Sequence, residues 1–107
     1  MLSKAISASS NGDNQLVAGV AGKRIRVLGF VLSPSATTVN AKFTDGPGGT
    51  ALTGLLYGTA GTVTVPCVPP VVGSQPGWFA TSQGNDLTLN LSAGTAVGGF
   101  ILYDLVP

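Results

Sequence analysis

The sequence predicts an all-β protein, an antiparallel β-sandwich of jelly-roll-like form with about eight strands. Only 8% of the 107 residues are charged, and neither His nor Glu occurs. Helix surfaces are normally rich in Glu, Lys and Arg, so this composition disfavours helices. The 16 Gly and 7 Pro residues place turn signals throughout the chain, and the short segments between them are rich in β-branched residues.

Alternating apolar and polar residues mark the clearest strands. The segment 38–44 places Val39, Ala41 and Phe43 on one face, and the segment 86–92 does the same with its three Leu residues. The long apolar strands 26–32 and 99–106 are expected to be central, or to face both a core and a subunit interface. The predicted strands are 2–7, 15–20, 23–33, 38–44, 52–57, 62–65, 78–81, 86–92 and 98–106.

The length suits one domain, with residues 11–107 forming a single sandwich. Residues 1–10 precede the first strong turn signal, at 11–14. They form either an arm that adds to the edge of a partner sheet or an ordinary first strand of the chain's own sheet.

The composition excludes several classes of function. A net charge of +1 lacks the dense basic surface of a nucleic-acid-binding protein. No apolar run approaches about 18 residues, so no membrane span is expected. Cys67 is the single Cys and has no His to activate it or to share a metal. We therefore expect no enzyme, no cofactor and no metal. The N-terminal residues lack the apolar stretch of a signal peptide, which indicates synthesis in the cytoplasm.

The basic residues cluster at 23–26. In regular alternation, Arg24 and Arg26 share one strand face, where they either bind acidic groups of a partner or form a solvated rim. Asp104 lies in an apolar strand, so we expect it at an edge or paired with Arg26.

The other acids each stand beside Asn or Gly. Asp13, Asp45 and Asp86 are therefore predicted to form turns by bonding to nearby backbone. Trp78 and Phe79 suit core or interface packing better than a stacking platform for a sugar ring.

Several motifs together resemble those of small proteins encoded in tailed-phage genomes. They are the stretch 21–28 (AGKRIRVL), the segments 50–54 and 77–79, and the run 86–92 followed by 97–99. The resemblance covers roughly residues 7–103 and is to β-sandwich virion proteins, most of all head decoration (cement) proteins. It implies a structural protein on the virion head that binds the major capsid protein and stabilises the capsid. Related sandwiches also occur in fibres, so a carbohydrate- or receptor-binding module of a head or tail fibre is the alternative.

We expect a homotrimer, because a closed ring buries complementary patches on every subunit. The resemblance implies the same oligomeric state. The apolar stretch of the third predicted strand supplies the candidate oligomer interface, Leu28, Phe30 and Leu32. The candidate capsid contacts come from the N-terminal segment and the basic cluster: Leu2, Lys4, Ile6, Arg24 and Arg26.

Overall fold

A computed structural model describes residues 2–35, 39–54, 56–57, 63–65 and 78–107. These ranges contain nine β-strands and no helix, which confirms the predicted all-β class. None of them holds a helix long and apolar enough to cross a membrane. The strands are β1 (Leu2–Ala8), β2 (Gly12–Val17), β3 (Arg24–Pro34), β4 (Asn40–Asp45), β5 (Leu56–Tyr57), β6 (Val63–Val65), β7 (Phe79–Ala80), β8 (Leu87–Leu91) and β9 (Val97–Val106).

The strands form two antiparallel sheets that pack face to face. The larger sheet has the order β1-β9-β3, with β6 and β7 pairing along the remaining edge of β3. The smaller sheet has the order β2-β8-β4-β5. Both sheets contribute to one buried apolar cluster, so the β-sandwich is confirmed, and the long strands β3 and β9 are central as expected. The jelly-roll-like form stays a prediction.

Three aromatic rings join the two sheets in the core. The Phe43 ring of the smaller sheet lies 4.9 Å from the Phe30 ring and 5.1 Å from the Phe79 ring, measured between centroids. Both partners belong to the larger sheet, and the tilted arrangement suits aromatic packing. The aliphatic residues that surround these rings and have no exposed surface are Ile25, Val27, Leu87, Leu89 and Ile101.

The second strand begins earlier than the sequence predicts. The chain bends at residues 9–11, and Gly12 already pairs with Leu91. The Asn14 side chain explains the shift, because it bonds both the backbone N–H (3.2 Å) and the carbonyl (2.9 Å) of Ser10. The predicted turn at 11–14 is therefore wrong by about two residues. Cys67 and the predicted turns at 58–61, 69–70 and 75–77 lie outside the described residues.

A β-bulge interrupts β3. Its register with β9 shifts between Val27 and Gly29, so one extra residue is inserted at this point. Val27 before the bulge and Phe30 after it both belong to the intersheet core, although they are three positions apart. The side-chain alternation before the bulge is therefore reversed after it.

Gly99 allows β3 and β9 to approach each other closely. It pairs with Leu32, has a φ of 134°, and would direct any Cβ atom into the carbonyl oxygen of Val31. Only glycine suits this position, because other residues rarely adopt such a backbone conformation.

Candidate interaction surface

The N-terminal segment is an edge strand of the larger sheet. β1 pairs with β9 along its whole length, from Leu2 opposite Tyr103 to Ala8 opposite Val97. Ile6 and Ala8 are buried in the core, at 3% and 4% exposure. Of the two alternatives for residues 1–10, the structure has the strand within its own sheet.

Three of the five predicted capsid contacts keep accessible surface, but they do not form one patch. Leu2 is 45% exposed, and Lys4 on the same strand is exposed too, on the side of β1 that carries Ile6 and Ala8. Arg24 begins β3 opposite Val106, five positions along β9 from Ile101, the partner of Lys4. It is half-buried, with its Nε donating to the Thr81 carbonyl at 3.1 Å. Leu2, Lys4 and Arg24 are named the accessible candidates from here on.

The other two predicted contacts are engaged inside the chain. Ile6 belongs to the core, and Arg26 is only 5% exposed. The Arg26 Nη2 atom donates to Asp104 Oδ2 at 3.0 Å, directly across the β3–β9 ladder. This hydrogen bond lowers the pKa of Asp104, since it stabilises the ionised carboxylate. The predicted pairing of Asp104 with Arg26 is confirmed.

The predicted oligomer interface on β3 is buried in the single chain. Phe30 and Leu32 are core residues at 3% and 1% exposure, and Leu28 is 5% exposed outside the intersheet cluster. Regular alternation had placed all three on one face with Arg24 and Arg26. The bulge at Val27–Gly29 reverses that assignment, so Phe30 and Leu32 have no surface for a partner while the sandwich is folded.

The outer face of the larger sheet presents a different apolar row. Phe100 of β9 is paired with Ala5 of β1 and Val31 of β3, on the side opposite the core. The ring is 44% exposed, and the next outward residue on β9, Leu102, is half-buried. These four residues are named the Phe100 face. The apolar character of the segment 98–106 on both faces was the sequence signal for it.

The outer face of the smaller sheet is covered by its own chain. The loop after β4 reaches Asp13 on β2, where the Gly48 N–H donates to Oδ2 at 2.9 Å. Because β8 lies between β4 and β2, this loop crosses the outer side of β8. Thr88 and Thr44 point outward there, yet they are buried at 0% and 3% exposure. Asn90 donates to the other oxygen of Asp13 at 3.0 Å and completes the cover.

Asp45 joins the loop after β4 to the loop before β8. Its carboxylate accepts from the Ser82 N–H (2.9 Å), the Ser82 hydroxyl (2.7 Å) and the Asn85 amide (3.1 Å). Burial acts to raise the pKa of Asp45, but the hydrogen bonds from Ser82 and Asn85 and the charge of Arg24 outweigh it and lower the pKa.

Asp86 joins the loop before β8 to the end of β2. It accepts from the Gly19 N–H at 2.7 Å and from the Gln15 amide at 2.9 Å, and the Gly19 bond is the main cause of its lowered pKa. The acids predicted to form local turns therefore connect segments far apart in sequence. Nothing in the residue types beside them signals those distant partners. Within the described ranges, no three residues of metal-ligating type come together.

Trp78 and Phe79 separate at the start of β7. Phe79 packs against the core, as predicted. Trp78 is 50% exposed, and its backbone N–H donates to the Val27 carbonyl at 3.0 Å.

Comparison with known proteins returned no match to a family model, a curated protein or a solved structure. The fold and surfaces define the chain as a small β-sandwich with one outer face covered by its own loop and one apolar outer face.

Proposed function

We propose that this chain is a structural virion protein, a decoration protein that binds the outer capsid surface of a tailed phage and stabilises the head. Its partners are the major capsid protein and two further copies of itself in a homotrimer. The observation that carries the proposal is the Phe100 face, which combines with the motif resemblance to phage cement proteins. Exposed contiguous apolar surface on a small protein marks an association site.

The Phe100 face has the chemistry of a subunit contact. Its central row, Ala5–Phe100–Val31, contains no charge. Among residues that alternate onto the same face, the nearest charges are Arg26 and Asp104, which form an ion pair within the chain. Aromatic anchors in an uncharged surround are typical of interface centres. A closed three-membered ring would use such a face once on every subunit.

The accessible candidates on the edge strand suit the capsid contact. Leu2 and Lys4 are exposed on β1, which has one edge unpaired in the larger sheet. A trimer presents this strand three times, and three weak contacts act together as one multivalent attachment. The role needs no reactive centre, and all four Asp carboxylates are hydrogen-bonded to groups of their own chain.

The alternative, a carbohydrate- or receptor-binding module of a fibre, has less support. Such a module presents aromatic side chains beside carboxylates or amides that are available to a sugar. Trp78 is exposed, but the four Asp residues bind within the chain.

The test is the location of the protein in particles of the phage that encodes it. Electron microscopy of purified particles with a labelled chain should show it on the head surface. Capsids lacking the protein should disrupt at a lower temperature than decorated capsids. Absence from particles would refute the proposal, and label confined to fibres would establish the alternative.

A pair of charge reversals tests the capsid contact. Lys4→Glu on the edge strand should lower capsid occupancy, because it places a negative charge where the capsid is contacted. Lys42→Glu, on β4 of the smaller sheet, is the matched control and should leave occupancy unchanged. Equal occupancy for both variants would remove Lys4 from the contact. Deletion of residues 1–10 is unsuitable, since it removes Ile6 and Ala8 from the core.

A further inference from the structure

The corner between β1 and β2 contains Asn11–Gly12, the single Asn-Gly pair of the chain. Asn11 is exposed, and its side chain has no hydrogen-bond partner among the described residues. Gly12 has a φ of 95°, and a Cβ atom built on it would meet nothing within 4 Å. Gly12 begins β2 opposite Leu91, so its nitrogen can approach the Asn11 side-chain amide when this first pair of the ladder opens.

The other Asn residues lack this combination. Each is followed by a residue with a side chain, which hinders attack by the next backbone nitrogen. Three of them also have their amide groups bound: Asn14 to the carbonyls of Ser10, Gly12 and Leu89, Asn85 to Asp45, and Asn90 to Asp13.

The single Asp-Gly pair provides an internal comparison. Asp45 precedes Gly46, but its carboxylate is held by Ser82 and Asn85. The Gly46 N–H donates to the Asp86 carbonyl at 2.9 Å, and Gly12 is likewise paired with Leu91. The two pairs differ in the side chain, because the Asp45 carboxylate is held by hydrogen bonds and the Asn11 amide is exposed.

We propose that Asn11 is a site of spontaneous deamidation in the folded protein. The Gly12 nitrogen loses its proton to water or hydroxide and attacks Asn11 Cγ. The new N–Cγ bond forms, the Nδ2 group takes a proton from water, and the Cγ–Nδ2 bond breaks so that ammonia leaves. Water then opens the resulting cyclic imide at either carbonyl and gives aspartate or isoaspartate at position 11. No oxidant or reductant takes part.

The product changes a corner that connects the two sheets. The new carboxylate lies two positions before Asp13, which holds the covering loop through Gly48. Isoaspartate also lengthens the backbone by one carbon, beside the Ser10 peptide groups that Asn14 braces. The formal net charge falls by one from its value of +1. The inference is independent of the proposed function.

The experiment incubates the intact protein at 37 °C at neutral and mildly alkaline pH and follows each Asn by mass spectrometry. Trypsin cleavage after Lys4 and Lys23 gives the peptide 5–23, in which fragmentation separates Asn11 from Asn14. We expect Asn11 to convert at least about tenfold faster than any other Asn, a barrier difference of ~1.4 kcal/mol. Conversion should accelerate with pH, and an isoaspartyl methyltransferase should label the product.

Two variants are the controls. Asn11→Gln alters an exposed side chain, should keep the wild-type melting transition, and should abolish the conversion in this peptide. Gly12→Ala should slow it where the variant folds. An unchanged Asn11 after incubation, or conversion no faster than that of Asn14 and Asn90, would overturn the proposal.

Discussion

The outer faces of the two sheets differ in how they are completed. On the smaller sheet, the loop after β4 crosses β8 and binds Asp13, so that outward-pointing Thr88 has no exposed surface. On the larger sheet, the ring of Phe100 is 44% exposed in a row with Ala5 and Val31. The chain covers one face with its own hydrogen-bonded loop and leaves the apolar row on the other face exposed.

The difference shows that strand alternation alone does not decide which surface is free. Thr88 and Phe100 both point away from the core, and the polar residue is the buried one. A loop anchored by one carboxylate accounts for this inversion. The exposed apolar residue lies at the centre of the proposed association surface, whereas the buried polar residue lies beneath a loop of its own chain.

The largest expected difference in unfolding free energy is between variants on the two sides of the larger sheet. Phe30→Ala should cost about 3–5 kcal/mol of unfolding free energy, because it empties part of the aromatic core. Phe100→Ala should change the unfolding free energy of the monomer by less than about 1 kcal/mol, since the ring is half in water. Chemical denaturation of both variants measures the difference. Similar losses for the two would contradict the bulge that turns Phe30 inward.

The next largest loss of stability is expected on breaking the Arg26–Asp104 ion pair beside the Phe100 face. Asp104→Ala should destabilise the fold by about 1–3 kcal/mol, between the values for exposed and buried pairs, because Arg26 keeps its buried charge. Combining Asp104→Ala with Arg26→Met should recover part of the loss. Thermal unfolding of the two single variants and the double variant measures the coupling. An additive double variant would show that the pair contributes no interaction energy.

The covering loop of the smaller sheet should give a smaller loss. Asp13→Ala removes the acceptor for Gly48 and Asn90 and should cost about 1–2 kcal/mol. Hydrogen exchange at the Gly48 amide should become faster, while association through the Phe100 face stays unchanged. Unaltered exchange at Gly48 would mean that Asp13 does not hold the loop.

Acid should weaken the loop connections that Asp45 and Asp86 make, and this is the smallest of the expected effects. The folded-state pKa values of Asp45 and Asp86 are lowered from 3.8, so the fold favours the ionised carboxylates. Their contribution to stability is complete above pH 3.8 and is lost progressively as the pH falls below it. Asp45→Asn and Asp86→Asn should each reduce the slope of stability against pH in this range. Slopes equal to that of the wild type would contradict the assignment.

The sequence predicts the strands well where the pattern is local. Alternation places Phe43 and Leu89 inward, and the apolar setting of Asp104 indicates its pairing with Arg26. Gly29 inside an apolar strand is a known bulge signal, but composition alone does not give the position of the extra residue. That single insertion moved Phe30 and Leu32 from the predicted interface into the core.

The distant hydrogen bonds of the Asp carboxylates could not be predicted from the sequence, for a reason different from that of the bulge. Asp13 reaches Gly48, and Asp86 reaches Gly19, only after the sheets have brought distant loops together. The Asn and Gly residues beside these acids are also typical of local turns, so they do not distinguish a local hydrogen bond from a distant one. The Phe100 face was indicated by the apolar segment 98–106, but its exposure depends on which loops cover which sheet.

Sedimentation equilibrium of the wild type and Phe100→Asp, at matched micromolar concentrations, tests the association surface most directly. We expect a wild-type mass of three times the 10.6 kDa chain. We expect a single-chain mass for Phe100→Asp, because a charge in the uncharged row prevents association, with a melting transition close to that of the wild type. A wild-type protein that sediments as one chain, or two proteins that sediment alike, would contradict the assignment of the Phe100 face.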